Sequence, residues 1–178
     1  MKYGNFSFLE NIYNMKMNEI CFNNKYLFDL ASNEEGFEIF KKIIHDKNIN
    51  LNILDQNGKS LLIHACQNDN YEIINILIDH GIDPLLKDNN SNTALHYCCI
   101  NNSINSINIL LQKLYYKSKF LTKKCLLFSN DNDDTPLHLA AKNGHLEITQ
   151  KLLVYILSIE NNKQNIRIKS KGEFLPIH

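Results

Sequence analysis

At 178 residues the chain is long enough for one core or for a short stack of repeated units. Nineteen Lys+Arg balance 19 Asp+Glu, so the protein as a whole has no net attraction for nucleic acid or for an anionic membrane. Five cysteines (Cys21, Cys66, Cys98, Cys99, Cys125), odd in number and without a C-x-x-C pair, argue against a disulfide framework and for a reducing compartment, the cytoplasm or the nucleus.

Residues 1–21 read as an N-terminal extension. Met1 to Ile20 has no sustained apolar run and carries Glu10 and Glu19, so these residues are not expected to act as a secretory leader. No stretch of about 18 apolar residues occurs, so no membrane span is expected. In residues 22–54, Tyr26-Leu27-Phe28-Asp29-Leu30-Ala31 and Phe37-Glu38-Ile39-Phe40-Lys41-Lys42-Ile43-Ile44 predict a pair of short helices, followed by a turn at Asn48-Ile49-Asn50.

Beyond this the chain repeats itself. Asp55-Gln56-Asn57-Gly58-Lys59-Ser60-Leu61-Leu62-Ile63-His64-Ala65 lies on Asp88-Asn89-Asn90-Ser91-Asn92-Thr93-Ala94-Leu95-His96-Tyr97-Cys98 at an offset of 33 residues. A third copy runs from Asn130 through Thr135-Pro136-Leu137-His138-Leu139-Ala140. The second halves agree as well: Tyr71-Glu72-Ile73-Ile74-Asn75-Ile76-Leu77-Ile78, Ile104 to Leu111, and Leu146 to Leu153. The units are therefore 55–87, 88–129 and 130–160. From Thr93 to Thr135 is 42 residues, nine more than the period. The extra residues fall at Gln112 to Lys124, which predicts an extended second helix and then a longer loop. Residues 161–178 end in Gly172-Glu173-Phe174-Leu175-Pro176-Ile177-His178, similar to the start of a further unit. The expectation is that the sequence is the front part of a longer array or a truncated gene model.

These residues resemble the ankyrin-repeat family over roughly positions 22–156. Thr135 to Ala140 is a full T-P-L-H-x-A signature, and Thr93-Ala94-Leu95-His96 is a close one. Asp79-His80-Gly81-Ile82-Asp83-Pro84 is similar to the family's Gly-Ala-Asp-Pro turn, and Gly144-His145 to its Gly-His. The resemblance implies an all-α solenoid of stacked helix-turn-helix units with hairpin-like loops, 22–54 being a degenerate capping repeat. Thr caps the first helix, and Pro136 takes the first helical position, where a missing N–H costs nothing. Leu62, Leu95 and Leu137, with the Ile/Leu pairs of the second helices, form the stripe buried between neighbours. Departures are visible. Ser60-Leu61 replaces Thr-Pro, Ile63 stands where the family has His, and Asp69 and Asn102 occupy the Gly position between helices. Asp and Asn accept a left-handed backbone better than most residues.

The resemblance implies a non-catalytic scaffold that binds another protein, as a monomer and without a cofactor or metal. His96 and His138 would fix the loops by bonding to the signature Thr, not act as acid or base. The H-x-C pairs His64/Cys66 and His96/Cys98 are out of register with each other, which argues against a zinc site used twice. Asp131 to Asp134 lacks the Gly and the terminal Glu of a calcium loop. Carried over from the family's variable positions, the partner-binding residues are Gln56, Asn57, Lys59, Gln67 and Asn68 in the first signature unit. In the second they are Asn89, Asn90, Asn92, Ile100 and Asn101. In the third they are Asp131, Asn132, Asp134, Lys142 and Asn143. With only Lys59 and Lys142 among them, this surface is not built for phosphates, and no nucleic-acid partner is expected. An alternative is the substrate-recruiting part of a larger enzyme, such as a palmitoyltransferase or kinase, although no G-x-G-x-x-G, Walker loop or D-H-H-C is present. The insertion interleaves Lys113, Lys117, Lys119, Lys123 and Lys124 with Tyr115, Tyr116, Phe120 and Leu121; the first expectation is a solvated helix face with its aromatics packed inward, and among binding roles an acidic protein patch comes ahead of anionic lipid or nucleic acid.

Overall fold

Each repeated unit starts with a cap that its own sequence supplies. Ser60 and Thr135 have extended backbones, and their hydroxyls accept the N–H of Ile63 (3.2 Å) and His138 (3.4 Å), satisfying a donor that the helix leaves orphaned. Thr93 N–H and Thr135 N–H donate in turn to Nδ1 of His96 and His138, so that His closes a reciprocal capping box in which Glu is usual. The computed structural model describes residues 24–33, 36–44 and 49–159. The expected extension at 1–21, the partial unit at 161–178 and Asn48 lie outside these.

The described residues form α1 Asn24–Ser32, α2 Phe37–Ile44, α3 Leu61–Gln67, α4 Tyr71–Asp79, α5 Ala94–Asn101, α6 Ile104–Lys117, α7 Lys119–Leu127, α8 Pro136–Lys142 and α9 Leu146–Ile159. The first helices α1, α3, α5 and α8 pack side by side in one layer, and α2, α4, α6 and α9 line up in a second. This is the expected all-α solenoid. Its core runs continuously between the layers: Leu62 and the four residues Ile73, Ile74, Leu77 and Ile78 are at most 3% exposed, as are Leu95, Leu110 and Leu111, with Leu137 at 5%. Burial of each such side chain contributes roughly 1.5–3 kcal/mol. A single unit has only half a core, so the stacking itself stabilises the fold.

Turns between helices close in the same way in each unit. Asp69 (φ 53°), Asn102 (φ 57°) and Gly144 (φ 71°) are left-handed, as the family position requires. Around them the chain bonds back on the helix it has just left: Asn70 N–H to Ala65 C=O at 2.9 Å, Ser103 to Cys98 at 3.0 Å, and His145 to Ala140 at 2.9 Å. Asp69 has a further task that Gly could not perform. Its carboxylate accepts the Ser106 N–H (2.7 Å) and the Asn105 side chain (3.0 Å), and so caps the N-terminus of the neighbouring unit's α6, where the helix dipole favours an anion.

The insertion differs from expectation. Residues 112–124 do extend α6 to 14 residues, but a helix, α7, follows in place of a long loop. Ser118 breaks the run with an extended backbone and caps α7 by accepting the Leu121 N–H at 3.2 Å. Thr122, Cys125 and Leu126 then recur at i, i+3, i+4 and point inward against α6 and α9. That spacing, with Ser118 ahead of it, was the signal for a helix.

Candidate partner-binding face

The hairpins that precede each first helix share one construction. Asp55 Oδ1 accepts the N–H groups of Asn57 and Lys59, both at 2.8 Å. Asp88 Oδ1 does the same for Asn90 (2.9 Å) and Asn92 (2.8 Å), and Asn130 Oδ1 for Asn132 and Asp134, both at 3.0 Å. Each hairpin therefore folds around one side-chain oxygen at its base. The residue three places on is left-handed in all of them: Gly58 (φ 76°), Ser91 (φ 60°) and Asp133 (φ 60°).

Backbone bonds then join one hairpin to the next. Asn89 N–H donates to Asn57 C=O (3.0 Å), and Asp131 N–H to Asn90 C=O (3.2 Å). The Asn130 amide adds a bond to Asn92 Oδ1 at 2.8 Å. His96 completes the link: its Nδ1 lies 2.8 Å from the Thr93 hydroxyl, and its Nε2 lies 3.1 Å from the Asp134 carbonyl of the following hairpin. An Nδ1 that accepts from a backbone N–H and an Nε2 that faces a carbonyl specify the neutral ring protonated on Nε2. Burial drives its pKa down to about 4 despite the carbonyl and carboxylates nearby. A fully buried, neutral, doubly bonded imidazole braces the loop and is not placed for acid/base work. His138 repeats the contact to Thr135 (3.1 Å), its pKa also lowered by burial.

The residues expected to meet a partner divide into an open set, a half-buried pair and a buried pair. Gln56, Asn57, Asn89, Asn90, Asp131 and Asn132 are exposed at the hairpin tips, and Asn68, Ile100, Asn101, Lys142 and Asn143 are exposed at the ends of α3, α5 and α8. Lys59 and Gln67 are half-buried and bonded to each other at 3.1 Å, with Lys59 Nζ also 4.8 Å from the centre of the Tyr97 ring. Asn92 and Asp134 are a correction: they are 8% and 5% exposed. Both occupy the last hairpin position, just ahead of the residue that caps the first helix. Asn92 is taken up by Asn130 and Asp88, and Asp134 by Lys142 at 2.5 Å. With that ion pair closed, the open face is an almost neutral field of side-chain amides.

Sequence reasoning missed a second brace. His64, displaced by one from the signature position, has the register of Tyr97. Both reach the hairpin carboxylate through its other oxygen: His64 Nε2 lies 2.9 Å from Asp55 Oδ2, and Tyr97 Oη donates to Asp88 Oδ2 at 2.7 Å. Burial alone would raise the pKa of Asp55, but the His64 bond and those of the Lys59 and Asn57 N–H groups bring it below its ordinary value. The H-x-C residues serve the same framework. His64 holds a hairpin, while Cys66, Cys98 and Cys99 are buried at the small positions between helices, where burial pushes the Cys66 and Cys99 thiols well up. Burial also pushes Cys125, behind α7, up to about 12. Thiols so held are poor nucleophiles. Asp131 to Asp134 forms a hairpin tip whose last carboxylate is already paired with Lys142.

Comparison with known proteins agrees with this geometry. The family described as ankyrin repeats (3 copies) matches residues 27–123, and that described as ankyrin repeat matches residues 132–165. Human transient receptor potential cation channel subfamily A member 1 is 27% identical over 116 residues, which are 65% of this chain and 10% of that protein. The chain thus spans about a tenth of the length of this curated relative. No helix among the described residues is long and apolar enough to cross a membrane. Ankyrin repeats are generally protein-interaction modules, and the stacked units, the Thr/His locks and the family matches agree that the chain belongs to the ankyrin-repeat family.

Proposed function

We propose that this protein is a non-catalytic scaffold module that binds another protein through its hairpin tips and the exposed ends of its first helices. The observation that carries this reading is the row of tips itself. Hairpin backbones are fixed by their own Asp or Asn, by the ladder from Asn57 to Asn89 and from Asn90 to Asp131, and by His96. The side chains at their tips, Gln56, Asn57, Asn89, Asn90, Asp131 and Asn132, are left exposed. A surface fixed in advance loses little conformational entropy on binding. Its chemistry is nearly neutral and amide-rich, which suits a polar polypeptide segment offering backbone and side-chain hydrogen bonds, and not a phosphate backbone.

The test is a lysate pull-down with the full chain beside a variant carrying Gln56→Lys, Asn57→Ala, Asn89→Ala, Asn90→Lys and Asp131→Lys. These side chains are exposed, so circular dichroism is expected to show the same helix content in both. A protein retained by the wild type and lost with the variant supports the reading. Equal retention by both, or none by either, counts against the tips as the binding site.

A further inference from the structure

We propose that α7 and the C-terminal half of α9 form a second docking surface, which takes a short acidic peptide segment bearing an apolar anchor side chain. Charge is the first argument. Residues 113–127 contain Lys113, Lys117, Lys119, Lys123 and Lys124 and no Asp or Glu, in a chain whose net charge is zero. Lys113 is neutralised by Asp79 at 2.7 Å. Lys117 reaches the Ile78 carbonyl (3.4 Å), and Lys119 and Lys124 lie over the Tyr115 and Phe120 rings (5.4 and 4.9 Å). A carbonyl and two rings carry no formal charge, so the positive field of these lysines persists and attracts an anionic partner.

Exposed apolar surface is the second argument. Tyr116 is 82% exposed, Phe120 70% and Leu127 43%. On α7, Phe120, Lys123, Lys124 and Leu127 follow one another at i, i+3, i+4 and i+7, so apolar and basic side chains share one face. Beside it a shallow depression, open to solvent, is lined by Lys123, Leu126, Leu127, Ile156 and Ile159. Its exposed lining is apolar and it adjoins the basic face of α7, so an apolar side chain resting on it would bring neighbouring carboxylates to the lysines.

The arrangement favours a peptide over a lipid surface. A helix lying in a membrane interface keeps its apolar side chains on one face and its lysines on the other. Here Lys123 and Lys124 stand between Phe120 and Leu127 on the same face. A local depression suits a single side chain, and aromatic residues are the common anchors of protein contacts.

The experiment uses the full chain on an array of synthetic peptides, each with a central Leu or Ala flanked by increasing numbers of Glu, and on vesicles with and without phosphatidylserine. Retention is expected to rise with the number of Glu, to need the central Leu, and to fall with added salt. The triple variant Lys119→Glu, Lys123→Glu, Lys124→Glu is expected to weaken peptide binding about tenfold or more, while the hairpin-tip variant binds as the wild type does. Phe120→Ala, on an exposed side chain, serves as a second variant with the same expected direction. The proposal is overturned if no peptide is retained, if retention ignores Glu or Leu, if charge reversal leaves it unchanged, or if only the anionic vesicles bind.

Discussion

The units 55–87 and 88–129 fold their hairpins around the same carboxylate and then brace them by different means. In the first, Ile63 fills the signature position as a fully buried apolar side chain, and His64 reaches Asp55 from a site 20% open to solvent. It also lies 3.3 Å from Ser32 Oγ of the preceding unit. In the second, Tyr97 holds Asp88 and His96 is added beneath, fully buried and bonded forward to Asp134 of the third hairpin. The difference teaches how a repeat tolerates a departure from its signature. Losing the buried His removes a tie to the next unit, while the hairpin itself survives because another residue supports the carboxylate.

Removing each brace should separate the two roles. His96→Ala leaves a buried N–H of Thr93 and a C=O of Asp134 without their partner and opens a cavity. We expect a loss of about 3 kcal/mol in unfolding free energy by urea titration, against about 1 kcal/mol for His64→Ala. Equal losses would break the comparison.

A pH series sharpens it. The His96 pKa is about 4 in the folded chain, below its ordinary value of 6.5. The unfolded state therefore binds the proton first as pH falls. The contribution is fully present above pH 6.5 and is lost as pH falls toward 4, a change of about 3 kcal/mol. Burial of His138 acts in the same direction. A His96→Gln variant is expected to show a visibly flatter stability profile between pH 6.5 and 4 than the wild type.

Smaller effects test the hairpin tips. Gly58 sits at φ 76°, and an added Cβ would come within 2.7 Å of Asn89 Oδ1 and 3.0 Å of its backbone nitrogen. Gly58→Ala is expected to cost about 1–2 kcal/mol. Ser91, left-handed at the equivalent position, gives the opposite sign: Ser91→Gly should be neutral or stabilising by up to about 1 kcal/mol. The smallest effect concerns Ser106, whose buried hydroxyl has no hydrogen-bond partner among the described residues. Ser106→Ala should leave the thermal midpoint unchanged or slightly raised.

Much of this was legible in the residues. Through the family resemblance Thr93, His96, Thr135 and His138 announce the loop locks, and Asp69 and Asn102 the left-handed turns, because the signature positions lie within one unit. What the sequence hid depends on neighbours. Asn92 and Asp134 look like loop-tip residues, yet Asn92 is taken up by Asn130 of the next hairpin and Asp134 by Lys142 at the end of α8. His64 shares Tyr97's register by the 33-residue offset, but only the fold shows that both side chains reach the hairpin carboxylate. The helix α7 was written in Ser118, Thr122, Cys125 and Leu126, but a length excess over a known period is more naturally read as a loop.

The most direct test of the central claim is a hydrogen–deuterium exchange footprint of the chain with a captured partner. Protection is predicted at the tips around Gln56-Asn57, Asn89-Asn90 and Asp131-Asn132, and at the ends of α3, α5 and α8. Protection confined to other segments, with the tips exchanging as in the free chain, would contradict the account.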